Sequence, residues 1–147
     1  MSCKDNSKLS LVGEMKFNLE DSLRESKEKE KELLIYFNGF GCVNCRYLEE
    51  DILKDTKIAR LINEHYKLVV LYVDDKTKIE NKEGRTDFKG KRIKTNGHLN
   101  VNYQIVMTQT GTQPLFVVVD ENGLVQRQIN FTKDKKKFEA FLKNNLF

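Results

Sequence analysis

Two cysteines three positions apart, Cys42 and Cys45, follow the apolar run Leu33-Leu34-Ile35-Tyr36-Phe37 and the loop Asn38-Gly39-Phe40-Gly41. The run reads as a buried strand, the glycines as its end, and the cysteines as the first turn of a helix. Free N–H groups and the positive dipole end of a helix favour an anion, and a thiolate is one. Cysteines so placed have pKa values lowered to ~3.5–7.5, which makes them nucleophiles near neutral pH. Cys45, almost one turn later, reaches the same side and is placed to resolve a mixed disulfide made at Cys42. The pair reads as a redox dithiol. Two other chemistries fit a lone C-x-x-C. One is a share of a zinc or iron–sulfur site, for which Cys3, His65 and His98 are the remaining candidate ligands. The other is plain packing of two small buried side chains.

The elements that must position these sulfurs follow from hydrophobic period and punctuation. Residues 18–31 read as a helix capped by Asn18, and 33–38 as the first strand. Apolar positions at Val43, Tyr47, Leu48, Ile52 and Leu53 make a helix over 43–53; a second over 56–64 is capped by Asp55. Residues 67–74 are almost continuously apolar, as a strand covered on both faces should be. Strand, helix and strand then form a right-handed parallel crossover. The stretch 75–97 holds three glycines among many charges and reads as a long exposed insertion, with room for a short hairpin. A helix over 98–109 follows. Pro114, the one proline, stands at the entry to strand 115–119, where a residue without an N–H is tolerated. Asn122-Gly123 turns the chain into an antiparallel return strand over 124–131. Thr132 is read as the cap of a last helix, 133–145, that buries Phe138, Phe141 and Leu142.

Composition bounds the answer. The 147 residues suit one domain, here 17–147 after a polar tail over 1–16, and 39% hydrophobic with 33% charged residues describes a heavily charged exterior. The net charge of +4 is mildly basic, with lysines interleaved among Glu and Asp through most of the chain. Without a stacking motif or a one-sided basic stripe, nucleic acid is not an expected partner. Three cysteines make no disulfide framework, and no run approaches the ~20 apolar residues of a membrane span. The N-terminus is polar from Ser2 to Ser10 and does not read as a signal peptide. Ser2-Cys3-Lys4-Asp5 looks like the junction at which a lipoprotein signal is cut, which makes Cys3 a candidate lipid anchor beside the plainer reading of a polar tail.

The order β-α-β, helix, β-hairpin, helix, with C-x-x-C at the first crossover helix and a lone proline before the hairpin, resembles the thioredoxin fold. That implies an α/β domain with a central mixed sheet of about four to five strands flanked by helices. Asn38-Gly39-Phe40-Gly41-Cys42-Val43-Asn44-Cys45-Arg46, followed by Glu49, is similar to the C-terminal thioredoxin-like domain of DsbD-type thiol:disulfide interchange proteins. Leu71-Tyr72-Val73-Asp74-Asp75 and Gln113-Pro114 resemble the same group. The resemblance implies that Cys42 attacks, Cys45 resolves and Glu49 tunes the pair. It implies a cis Pro114 that packs against the disulfide and keeps metal ions away, with Gln113, Phe40 and Gly41 beside it as substrate contacts. Protein disulfides and a dithiol partner protein are the implied partners of a monomer without cofactor or metal, in the bacterial periplasm or exported on a lipid anchor. Departures stand out as well. Tyr36 occupies the place of the buried aspartate six before the nucleophile, Gly41 replaces the usual tryptophan, and Val43-Asn44 is neither Gly-Pro nor Pro-His. Redox direction is therefore open at this level, with reduction implied by the subgroup.

Overall fold

Strand β1 (Glu32–Asn38) runs through the middle of a four-stranded sheet of order β2-β1-β3-β4. It pairs in parallel with β2 (Tyr66–Tyr72), Glu32 opposite Tyr66 and Asn38 opposite Tyr72, and antiparallel with β3 (Leu115–Val119). β4 (Val125–Ile129) completes the hairpin. The computed structural model describes residues 6–15 and 17–144. The sheet has four strands, the lower of the two numbers expected. Among the described residues no helix is long and apolar enough to cross a membrane.

β1 is buried on both faces because its side chains alternate between two cores. Leu34 and Tyr36 join Leu48, Ile58, Ile62, Phe116, Phe138 and Leu142 on one side. Leu33, Ile35 and Phe37 join Phe17, Leu71 and Val117 on the other. Burying side chains of this size is worth about 1.5–3 kcal/mol each, so β1 is the least substitutable part of the chain. The first face is covered by α2 (Val43–Leu48), α3 (Thr56–His65) and α5 (Lys135–Lys143), and the second by α1 (Leu19–Glu28) and α4 (Asn96–Thr108).

Capping sets most boundaries. Asn18 and Asp55 accept N–H groups at the starts of α1 and α3, as their sequence positions imply. α5 differs: its cap is Asp134, which accepts from Lys136 and Lys137, while the Thr132 hydroxyl accepts the Asp134 N–H one step earlier. The Thr132 cap read from the sequence is thus two residues too early. The helix expected over 43–53 also divides. After Leu48 the chain passes into a π-helical turn, Glu49–Leu53.

Two further stretches differ from their sequence reading. Residues 6–15, taken as part of a polar tail, lie along the outer edge of β2. Gly13 bridges Val70, the Glu14 N–H donates to the Val70 carbonyl, and Tyr72 donates its hydroxyl to the Leu11 carbonyl. Leu9 and Leu11 half-bury against the core, and a Cβ on Gly13 would stand 2.7 Å from the Tyr72 ring. The insertion after β2 is held by side chains and by backbone bonds between its two arms, from the Ile79 N–H to the Lys94 carbonyl, Ile93 to Arg85 and Asp87 to Lys91. Asn81 accepts the Arg85 N–H and donates to the carbonyls of Arg85 and Ile93, and Asp87 accepts from the Lys89 and Lys91 N–H groups and meets His98 Nε2 at 2.7 Å. Isolated bridges, Lys78 to Thr95 and Thr86 to Arg92, stand in place of a hairpin.

Candidate functional site

β1 ends at Asn38 and the chain turns through Gly39, Phe40 and Gly41 into Cys42, the N-cap of α2. The two cysteines form a disulfide with Cα atoms 5.2 Å apart. Their surroundings are unequal: Cys42 is half-buried, whereas Cys45 is fully buried. Cys42 Sγ accepts the Cys45 backbone N–H at 3.1 Å, so the first turn of the helix already directs a donor at that sulfur.

The loop before Cys42 is held from two sides. From the end of β2, the Asp74 carboxylate accepts the N–H of Phe40 at 2.8 Å and of Gly41 at 3.0 Å. Burial alone would raise the Asp74 carboxyl, but the Gly41 and Phe40 N–H groups outweigh it and hold the group below its ordinary range. From α2, Arg46 donates to the Asn38 Oδ1 at 2.6 Å and to the Phe40 carbonyl at 3.3 Å. Asn38 Oδ1 also accepts the Gly39 N–H at 2.7 Å. A Cβ on Gly39 would press to 3.3 Å of the Cys42 Cβ, which explains a glycine there.

Beneath the loop lies a charged cluster centred on Glu49. Its Oε2 accepts from the Tyr36 hydroxyl at 2.8 Å, from Arg46 at 2.8 Å and, at the longer distance of 3.4 Å, from Asn38 Nδ2. The Glu49 side chain is 17% exposed and that of Arg46 is 42%, so water reaches the pair from the arginine side and screens it in part. Burial first, and the hydrogen bond to the Glu49 carboxylate second, push the Tyr36 hydroxyl far up, which keeps it a neutral donor. Arg46 is held above its already high value because the Glu49 carboxylate outweighs the cost of its burial.

The remaining candidates fall at the same end of the sheet. Phe40 is 58% exposed and stacks on Tyr72 with ring centroids 3.9 Å apart. Val43, between the cysteines, is 80% exposed. The Gln113–Pro114 peptide bond is cis. Because Leu115 pairs with Phe37, Pro114 enters β3 opposite the Asn38 end of β1. Gln113 Nε2 donates to Gln104 Oε1 at 2.8 Å and to the Gly111 carbonyl, and Gln104 returns a bond to the Thr112 carbonyl, so α4 fixes this approach.

The fold thus brings Cys42, Cys45, Phe40, Gly41 and Glu49 into one cluster and delivers Gln113 and Pro114 beside it. Sequence reading assigned no role to Asn38, Arg46, Asp74 or the Tyr36 hydroxyl. No local signal marked Asp74, because the N–H groups that it accepts belong to a loop more than thirty positions earlier. Cys3 lies outside the described residues. Among the described residues no group of three or more His, Cys, Asp or Glu is arranged to hold a metal.

A family model described as a thioredoxin-like domain matches residues 19–145. Among solved structures, a DsbH oxidoreductase superposes with a TM-score of 0.65 at 15% identity, over 98% of this chain and 90% of that one. A disulphide isomerase from Xylella fastidiosa Temecula1 gives 0.58 at 20% identity, over 95% and 99%. The reduced C-terminal domain of DsbD from Neisseria meningitidis gives 0.52 at 12%, over 86% and 93%. No curated protein matches the sequence. At these identities the structural likeness speaks to the fold, and the chemistry rests on the cysteines themselves.

Proposed function

The chain belongs to the family of thioredoxin-like domains, and from that premise we propose that it exchanges disulfides with protein substrates through Cys42 and Cys45, in the reducing direction. The observation that carries this reading is the asymmetry of the pair, one sulfur half-exposed at the mouth of α2 and the other buried behind it. Starting from the dithiol, the Cys42 thiolate attacks one sulfur of a substrate disulfide. That S–S bond breaks, a Cys42–substrate disulfide forms, and the first substrate sulfur leaves as a thiolate that takes up a proton. Cys45 then loses its proton and attacks Cys42 Sγ, which expels the second substrate sulfur. Two electrons have passed to the substrate, and the protein is left in the disulfide form. A dithiol partner protein returns it to the reduced state by the reverse exchange.

Each neighbour has a part in this scheme. The Cys45 N–H steadies the developing thiolate at Cys42. Glu49 is four residues after Cys45 and so shares its side of the helix; with Tyr36 in place of the usual carboxylate, Glu49 is the acid–base group for the resolving step. Phe40 offers an apolar ring beside Cys42, Gly41 keeps the approach free of a side chain, and the Gln113-Pro114 segment lines up an extended substrate strand. Location in the bacterial periplasm, free or held through a lipid on Cys3, is the compartment this role implies; membrane fractionation of wild type and Cys3→Ser tests it.

Turnover of a protein disulfide such as insulin is the direct assay. Cys42→Ser should abolish it, and a Cys42→Ser protein that reduces insulin at the wild-type rate rules the mechanism out. Direction is read from the reduction potential. A value below the roughly −180 mV of protein disulfide isomerases fits a reductant, and one near the roughly −120 mV of DsbA reverses the assignment.

A further inference from the structure

The charge of this protein is not spread evenly. Residues 76–94 hold eight lysines and arginines against three acidic residues, while the rest of the chain holds 18 against 19. The net +4 therefore resides in the insertion, where the linear sequence suggested interleaving throughout. All eight cations are exposed. Among the described residues, one of them enters an ion pair, Lys82 with Glu80 at 3.7 Å. Elsewhere ion pairs are more frequent: Arg24 with Asp21, Arg46 with Glu49, Lys67 with Glu25, Lys54 with Glu50, Lys135 with Asp55, and Lys57 and Lys143 with Glu139. Asp87, one of the insertion's three carboxylates, is already engaged by His98 and two backbone N–H groups.

Position gives this charge a use. Asp74 grips the loop before Cys42, and the next residue, Asp75, anchors the insertion by accepting from the Thr77 N–H and Asn96 Nδ2. Gly97 then sits so close to the end of β2 that a Cβ would meet the Val73 and Asp75 carbonyls at 2.7 Å. The base of the insertion is thereby fixed next to Tyr72, against which Phe40 stacks. Further out, Ile93 is buried and the Phe88 N–H is taken by Asn102 Oδ1, so the cations stand on an ordered platform. An unmatched field beside a reactive centre steers oppositely charged molecules to it and raises the rate of encounter.

We propose that the 76–94 insertion is a docking surface for acidic segments of the proteins whose disulfides this dithiol exchanges. The inference rests on the exchange reading above and adds the partner's chemistry to it. A polypeptide is favoured over nucleic acid because the surface adjoins a thiol centre and its one exposed aromatic ring, Phe88, is covered by Lys89.

The test uses two synthetic peptides that share one intramolecular disulfide and differ only in flanking glutamates or lysines, with neutral hydroxyethyl disulfide as the reference. At low ionic strength the wild-type protein should reduce the glutamate peptide with a kcat/KM about tenfold above that for the lysine peptide. The preference should fade toward about 1 M salt. The triple variant Lys89→Glu, Lys91→Glu, Lys94→Glu should lose or invert the preference and keep its rate on hydroxyethyl disulfide. Lys136→Glu with Lys137→Glu, at the start of α5, should change neither. Equal rates on the two peptides, or a preference that survives the triple variant, overturn the proposal while exchange itself stands. So does binding of duplex DNA or phosphatidylglycerol vesicles without peptide preference. No exchange with any of the three disulfides removes the parent reading, and this one with it.

Discussion

Two loops leave the same end of the sheet, and they are held in opposite ways. The short one, Gly39 to Gly41, is gripped from outside: Asp74 reaches it from β2 and Arg46 from α2, with Glu49 and Tyr36 behind them. The long one, 75–95, supplies its own hubs in Asn81 and Asp87, whose side chains satisfy backbone groups within the same segment, Asp87 also meeting the His98 ring at the start of α4. The first arrangement makes sulfur geometry depend on distant elements. The second lets surface chemistry vary with little consequence for the fold. A catalytic turn needs the former because a misplacement of about 1 Å is costly in rate; a surface for encounter does not.

That contrast can be broken at several points. Glu49→Ala should have the largest effect. It strands the buried Tyr36 hydroxyl and leaves Arg46, 42% exposed, to water, so we expect a loss of about 2 kcal/mol in urea unfolding and roughly tenfold slower insulin reduction. Asp74→Ala comes next, since it frees two loop N–H groups that water can partly serve. A loss of about 1–2 kcal/mol is expected, with kcat/KM on hydroxyethyl disulfide reduced by more than the stability change explains. Asn81→Ala should cost less than about 1 kcal/mol globally and leave that rate alone, while amide exchange within 81–93 quickens. If Asn81→Ala instead unfolds the domain cooperatively, the insertion is part of the core and the contrast fails.

The smallest effect concerns acid. Glu139, between Lys143 and Lys57, is lowered from its ordinary 4.5 to about 2, and Asp74 is also held below its ordinary 3.8. Both carboxyls are more acidic folded than unfolded, so their stabilisation is complete above about pH 4.5 and lost as pH falls, for Glu139 through about 2. Thermal melts across that range should show declining stability. Glu139→Gln should flatten part of the decline, and added salt should weaken that part because both lysine partners are exposed.

How much of this was legible in sequence follows from how local each signal is. β1, β2 and the cysteine turn were readable because strand burial and C-x-x-C are properties of consecutive residues. Asn18 and Asp55 were readable as caps for the same reason. Asp74 was not, because its partners lie more than thirty positions away and only the parallel register of β1 and β2 brings them together. Thr132 misled because a hydroxyl that accepts an N–H two residues on competes with a cap, and Asp134 accepts two N–H groups where Thr132 accepts one. The π-helical turn at Glu49–Leu53 left no mark beyond the phase break at Lys54-Asp55-Thr56, since one extra residue per turn leaves the apolar set nearly unchanged. In the insertion many of the ordering groups are Asn and Asp side chains, which have no period to detect.

The stack of Phe40 on Tyr72 has a practical consequence. The chain contains no tryptophan, so its near-ultraviolet signal comes from tyrosine. One such ring lies flat beneath the residue two before Cys42, and another, Tyr36, hydrogen-bonds the carboxylate under the same loop. Opening or closing the sulfur bridge should register in the protein's own emission, and a label-free optical titration then reads its oxidation state directly.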